Sequence, residues 1–320
     1  MTNSQTVSRL QRLSIHWRYA VLTMLAALSC GLILIYRLQP DSPAYLTLIP
    51  AFMWPAGLTI LTLCLFRRTH WRATSMCLAS YVLFTVLCVD EWRVIKISKW
   101  SSKDISRVDL PNETIRIVSL NCSTSSVSSC EEVLRYKPDI ILYQESPSTR
   151  LLERVATKLY GKTGCVISTP DCSIVISGKV VSSEANPRLH YTIIKVVLKN
   201  GSTVAVVNTR LATPQIDIEF WRPSVWRAHA SRRAKQRKQI DEVMKAIESL
   251  PSDMPVIVGG DFNVPANDGA LDTLSSRLFD SFKQAGFGWG NTATNSWPVH
   301  RIDQIWLSRQ FVAVRNVAIS

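Results

Sequence analysis

A chain of 320 residues has room for a membrane region plus one large domain, or for two ordinary domains. Hydrophobic residues make up 47% of it, more than a wholly soluble protein usually carries, and the excess lies before about residue 90. The formal net charge of +13 draws attention to polyanions without choosing among nucleic acid, anionic lipid headgroups and phosphorylated small molecules, and no internal repeat or long low-complexity segment is present.

Residues 1–18 read as a cytoplasmic tail. Three apolar runs follow, Tyr19 to Tyr36, Tyr45 to Phe66 and Ala73 to Val89. Each is near the roughly 17–25 residues that cross a bilayer core as a helix, so three transmembrane helices are expected over 19–89. Arg9, Arg12 and Arg18 precede the first run, and Arg67, Arg68 and Arg72 separate the second from the third. The positive-inside rule then keeps the amino terminus and the second loop in the cytoplasm and places everything after Val89 outside, as for an inner-membrane protein with an external domain. Arg93, Lys96, Lys99 and Lys103 follow the third run, but a large domain crosses despite such charges. Trp71, Trp92 and Trp100 fit interfacial anchoring. Residues 90–113 are charged and polar and read as a linker.

The domain spans 114–320. Thr114 to Leu120 alternates into a β-branched run and is predicted as a strand ending at Asn121. A short helix is predicted over Glu131 to Tyr136, a strand over Asp139 to Tyr143 that ends at Gln144-Glu145, and a helix over Leu151 to Leu159. Strands follow at Cys172 to Ile176, Tyr191 to Leu198 and Thr203 to Asn208, the last two joined by a hairpin turn at Lys199 to Ser202. A long helix is predicted over Ser224 to Leu250, then strands at Val256, at His300 to Leu307 and at Val312 to Ile319. Helices alternate with strands, yet several strand pairs lack a helix between them, which suggests an α/β sandwich with antiparallel and parallel pairs. Cys165 and Cys172 flank a turn at Thr169-Pro170-Asp171 and, in an oxidising compartment, are candidates for a disulfide; Cys122 and Cys130 complete the four thiols of the domain. No CxxC pair supports a structural zinc site.

One stretch stands out. Pro255-Val256-Ile257-Val258 runs into Gly259-Gly260-Asp261-Phe262-Asn263, so Asp261 and Asn263 share one side of an extended chain at a strand end. A glycine-rich turn with an Asx cap is the plain alternative. With Asn121, Glu145, Asn208 and Asp303, also at strand ends, they give carboxylates and amides but no thiolate, the donors preferred by magnesium (Mg2+) or manganese (Mn2+).

In order along the chain, Ser119-Leu120-Asn121, Gln144-Glu145, Asn208-Thr209, Gly260-Asp261-Phe262-Asn263 and Arg301-Ile302-Asp303 resemble the endonuclease/exonuclease/phosphatase superfamily, the deoxyribonuclease-I-like fold. The resemblance implies a four-layer α/β sandwich, two packed β-sheets with helices outside, and metal-dependent hydrolysis of phosphoester bonds. It implies Glu145 as principal metal ligand beside Asn121, and Asp261 as the group that orients or deprotonates water. Asn263 would hold a phosphate oxygen or the nucleophile, and Asp303 would serve the metal or a histidine's environment. Asn208 enters the catalytic set with Arg210, which stands where the family reads histidine in Asn-Thr-His. Arginine binds phosphate bidentately but gives up no proton near neutral pH. The family's closing Ser-Asp-His and last strand have no counterpart before Ser320, so that end of the domain is expected to be missing. His190, His229 and His300 match no family position.

Arg232 and Arg233, with Arg222, Arg227, Lys235, Arg237 and Lys238, make the long helix strongly basic, and Arg232 and Arg233 join Arg210 as candidate phosphate contacts. The expected activity is phosphodiester hydrolysis on nucleic acid, anionic lipid or a small phosphoester at the bilayer. A domain that binds polyanions without turnover and a phosphatase of lipid or small-molecule phosphates are the alternatives, and no protein partner is implied.

Overall fold

Proline decides how the N-terminal apolar runs fold. The computed structural model describes residues 3–91, 114–123, 126–214, 216–217, 219–293 and 297–319. The chain divides into two units, Met1–Ile95 and Lys96–Ser320. Helix α1 (Asn3–Leu38) contains no proline, and the stretch expected as a tail is already helical from Asn3. Pro50 then breaks the second run, and Pro43 lies just before it. The chain makes a short 3-10 helix at Pro43–Leu48 and only afterwards the 12-residue α2 (Met53–Cys64). Pro55 is tolerated in the first turn of α2, where its missing N–H has no helical acceptor to lose. At 1.5 Å per residue α2 is about 18 Å long, short of the roughly 30 Å hydrocarbon core. Helix α3 (Trp71–Cys88) is unbroken for 18 residues.

Among the described residues, therefore, two helices and not three are long and apolar enough to cross a membrane. They are His16–Leu38, of mean hydropathy 2.1, and Trp71–Cys88, of mean hydropathy 1.3. Leu22, Leu32, Leu58, Tyr81 and Phe84 form the core of this unit, while Met24, Leu34, Ile60, Met76 and Val82 are each more than half exposed, so its outer surface is apolar too. Several of its polar groups pair internally. Trp54 Nε1 donates to the Tyr36 hydroxyl at 3.0 Å, that hydroxyl donates to the Ile49 carbonyl at 2.5 Å, and the Thr62 and Tyr81 hydroxyls lie 2.9 Å apart. The expected linker lies outside the described residues from 92 onward, with Arg93, Lys96, Lys99, Lys103, Trp92 and Trp100.

In the second unit the elements in order are β1 (Ile117–Asn121), α4 (Val127–Glu132), β2 (Ile140–Gln144), α5 (Thr149–Tyr160), β3 (Gly164–Ile167), β4 (Cys172–Asn186), β5 (Tyr191–Leu198) and β6 (Thr203–Arg210). Then come α6 (Pro223–Glu248), β7 (Val256–Asp261), α7 (Asp272–Ser275), β8 (Leu278–Asp280), α8 (Ser281–Ala285) and β9 (Asp303–Ser308). The strands run β1-β2-β4-β5-β6-β7-β9-β8, with β3 on β4. The β1/β2 and β6/β7 pairs are parallel and the rest antiparallel.

Strand β4 curls this sheet. Its first half, Cys172 to Ile176, pairs with β2, and from Gly178 onward it pairs with β5. At the changeover Gly178 has φ +159°, and a Cβ there would sit 2.6 Å from the Val197 carbonyl oxygen, so only glycine fits. Alternate strand residues then go to different apolar layers. Ile140, Leu142 and Ile174 pack with Ile194, Val206 and Ile257 between the two halves of the sheet. Ile141 and Tyr143 face α5 through Leu152 and Val155, and Val207 and Val258 face α6 through Ile240 and Val243. The fold is α/β, a curled mixed sheet with helices against it.

Some expectations fail. The predicted strand at Val312 to Ile319 is irregular; its backbone is instead tied to α8 and the residues after it, Asn316 N donating to Ala285 O at 2.9 Å and Phe287 N to Asn316 O at 2.8 Å. The strand expected to stop at Ile176 continues to Asn186, and β3 and β8 were not expected. All eight cysteines are free. Cys165 lies opposite Ile176 in the β3–β4 register and Cys172 opposite Gln144, so the turn between them does not bring the two thiols together.

Candidate active site

Strand direction brings the polar ends to one edge. The parallel pairs β1/β2 and β6/β7 deliver their carboxyl ends, with Asn121, Glu145, Arg210 and Asp261. Antiparallel strands deliver their amino ends to the same edge. Asp303 opens β9 opposite Asp261, Asp171 precedes β4 beside Gln144, and His190 precedes β5 beside Arg210.

Hydrogen bonds join these residues. Asn121 Nδ2 donates to Asp261 Oδ2 at 2.9 Å and to Glu145 Oε1 at 3.2 Å. Asn263 donates to Asp261 twice, from its backbone N to Oδ1 at 2.9 Å and from Nδ2 to Oδ2 at 3.1 Å. Asp261 and Asn263 thus form the Asx turn and the polar cluster at once, since β7 stops at Asp261 and Asn263 has φ +51°. Glu145 is also left-handed, at φ +48°, a strained conformation for a glutamate and one that concentrates at functional sites. Gly260 has φ +145°, and a Cβ there would meet the Thr209 carbonyl oxygen at 1.8 Å.

Arg210 sits among the carboxylates. Its Nη2 donates to Glu145 Oε1 at 2.8 Å, its Nη1 to Asp171 Oδ1 at 3.3 Å, and its Nε lies 4.0 Å from Asp261 Oδ2. Burial alone would lower its pKa, but Asp171, Glu145 and Asp261 outweigh that and hold the guanidinium above its ordinary value. Burial raises the Asp261 carboxyl, while Asn121, Asn263 and Arg210 oppose the rise. Asp303 is pushed up to about 7, first by burial and then by the facing Asp261.

The structure divides the sequence-predicted residues. Asn121, Glu145, Arg210, Asp261 and Asn263 form one connected group, with Asp303 in register beside Asp261. Asn208 does not reach the cleft. It is fully buried, donating to the Tyr143 and Ser173 carbonyls at 2.8 Å each and accepting from Gln144 Nε2 at 2.7 Å, so it ties the two halves of the sheet together. Arg233 is a correction of another kind. It is buried and ion-paired with Asp268, facing the interior rather than a phosphate, while its neighbour Arg232 is exposed. Arg301 is likewise buried, 2.5 Å from Asp280. Sequence reasoning missed Asp171 and His190, whose Nδ1 lies 2.5 Å from Asp171 Oδ2.

The donor set suits a hard divalent cation. Every donor is an oxygen-bearing side chain, and Asp303 Oδ1 is buried without a hydrogen-bond partner, as an atom reserved for a cation would be. Among the described residues no three Asp, Glu, His or Cys side chains form a ready-made metal cage. A sparse oxygen set fits Mg2+ or Mn2+, which keep several waters. Asn121 and Asp303 line a cavity of about 860 Å³, and Arg210 lines a separate one of about 550 Å³.

Among solved structures, the chain is similar to a mannosyl-6-phosphatase of Bacteroides thetaiotaomicron at 16% identity, over 62% of this chain and 87% of that one, with a TM-score of 0.47. It is similar to a humanised TDP2 of D. rerio at 17% identity, over 61% and 83%, with a TM-score of 0.46. The human Nocturnin catalytic domain with bound sulfate matches at 20% identity, over 63% and 84%, with a TM-score of 0.44. No curated protein matches. The sequence model described as the Endonuclease/Exonuclease/phosphatase family matches residues 118–320, from the second residue of β1 onward, and the chain belongs to that family.

Proposed function

We propose that this chain is a membrane-anchored, divalent-metal-dependent hydrolase of phosphoester bonds, acting on phosphodiesters. Family membership supports the reaction class. The observation that carries the finer reading is the hydrogen-bonded group Asn121–Glu145–Asp261–Asn263 closed by Arg210. Glu145 and Asn121, with Asp303, hold the cation, which supplies Lewis-acid charge for the phosphoryl oxygens when bound. Asp261, steadied by Asn121 and Asn263, orients the attacking water and accepts its proton. Asn263 also donates to the Leu211 carbonyl at 2.9 Å, which fixes it beside the nucleophile's place. Arg210 contributes fixed positive charge to the phosphate and cannot serve as the acid. The apolar layer of Ile140, Leu142 and Val206 inside the curled sheet supports reading it as a four-layer sandwich. The apolar outer face of the N-terminal unit supports anchoring in a bilayer, and the arginine distribution supports an external domain.

A second reading, polyanion binding without turnover, is favoured by the Arg210–Glu145 ion pair at 2.8 Å, which already compensates the carboxylate. Purified full-length chain in detergent separates the two. Hydrolysis of bis(p-nitrophenyl) phosphate with Mg2+ or Mn2+, abolished by chelator, is the expected result. Salt-sensitive binding of polyanion with no hydrolysis under either metal establishes the second reading instead.

A further inference from the structure

The second cavity, which Arg210 lines, has a basic wall. His190, Arg210, Arg232 and Lys235 line it, with Leu211, Thr213 and other residues of the segment after β6, and its volume of about 550 Å³ is that of a small-ligand site. Arg232 and Lys235 are three residues apart on α6 and therefore share a face. Among the described residues neither has an ion-pair partner, and both are exposed.

Buried amides fix the walls of this pocket against each other. Gln236 Nε2 donates to the Ala212 carbonyl at 2.7 Å, and Gln239 Oε1 accepts from Ala212 N at 2.8 Å. Gln239 Nε2 donates to the Leu189 carbonyl at 3.1 Å and to the Arg210 carbonyl at 3.4 Å. Both glutamines are buried, so α6 grips the β6 end and the turn carrying His190 with groups that are costly to unpair. The side chains of Arg232 and Lys235 are flexible, but the backbone that presents them to Arg210 is held. Asp171, which pairs with the lining residues Arg210 and His190, is shared between those two.

We infer that this pocket is a second-phosphate subsite: the substrate carries, beside the phosphoester that is cleaved, another phosphate group received by Arg232 and Lys235, with Arg210 between the two. This rests on the proposed hydrolase reading for its first phosphate, but the pocket's affinity for phosphate does not depend on turnover.

The test therefore uses binding first. Inorganic phosphate is titrated into the full-length chain in detergent, without divalent metal, by calorimetry. The wild-type chain binds it, and the double variant Arg232→Gln/Lys235→Gln weakens binding about tenfold or more, as loss of charge-assisted hydrogen bonds implies. Arg154→Gln, which removes an exposed arginine on α5, leaves phosphate affinity unchanged. Equal affinity in the double variant, or equal loss in Arg154→Gln, overturns the subsite. A 5′-phosphorylated dinucleotide and a short-chain phosphatidic acid then compete against phosphate: the better competitor identifies a nucleotide or a lipid source, and failure of both to compete also overturns it. Phosphate binding that depends on Arg232 and Lys235 in a chain showing no hydrolysis would sink the hydrolase reading and leave the pocket standing.

Discussion

A guanidinium held 2.8 Å from Glu145 and 3.3 Å from Asp171 keeps its charge at any physiological pH, so Arg210 gives the cleft permanent positive charge. A divalent cation approaching Glu145 meets that charge. Arg210→Gln should tighten Mn2+ binding by the full chain about tenfold while lowering turnover about 10²-fold, since it removes both a competitor at Glu145 and a donor to the phosphate. Calorimetry with Mn2+ checks the first effect, and unchanged or weaker binding contradicts it. Gly260→Ala is a separate matter of space and backbone angle. It should cost about 2–4 kcal/mol, seen as a lowered unfolding midpoint of the full chain, because both φ and the Thr209 carbonyl forbid a Cβ. Much of this residue-level picture was legible beforehand. Asn121, Glu145, Asp261 and Asn263 meet as their strand ends suggested. His190 was legible only to within one residue, because counting outward from the Lys199 to Ser202 turn pairs Tyr191 with Arg210, whereas the observed register pairs Tyr191 with Thr209 and sets His190 opposite Arg210. Asp171 was not, since its place depends on how β4 pairs with both halves of the sheet.

Helix α6 shows why an element's existence can be read more easily than its faces. Its predicted span, Ser224 to Leu250, agrees closely with Pro223–Glu248. Between Val225 and Ile240, however, its buried stripe is His229, Arg233, Gln236 and Gln239, which no hydrophobic pattern marks as inward. Successive residues on a helix are about 100° apart, so Arg232 and Arg233 take opposite surroundings. Burial raises the Asp268 carboxyl even with Arg233 beside it. Arg233→Met would remove that carboxylate's buried ion-pair partner and should destabilise the chain by about 3–5 kcal/mol, with Arg233→Met/Asp268→Leu recovering most of the loss. A double-mutant cycle on denaturant unfolding measures this; a double variant as unstable as the single one contradicts it. The strand predicted at Val312 to Ile319 failed for a related reason. Alternation describes a strand only where a neighbour pairs with it, and here the backbone near Asn316 bonds to the residues around Ala285.

At the scale of the whole molecule, two units with separate cores join an apolar-surfaced helical region to a phosphoesterase fold. Hydropathy revealed the apolar runs but not that Pro50, inside the middle one, leaves it only a 12-residue α-helix. The five ordered motifs made the family legible, and the curl through Gly178 became visible only with the pairing of β4. With α1 and α3 in a bilayer, the chain should stay with membranes through an alkaline carbonate wash and leave them only with detergent; release by carbonate alone contradicts anchoring. Protease treatment of intact cells should remove the domain if it is external, and full protection reverses that orientation. The most direct measurement concerns the reaction itself: the rate at which the full-length chain in detergent hydrolyses bis(p-nitrophenyl) phosphate with Mg2+ or Mn2+, compared with Glu145→Gln. A rate lowered about 10³-fold in the variant is the predicted result, and equal rates in the two proteins, or no metal-dependent rate in either, would contradict it.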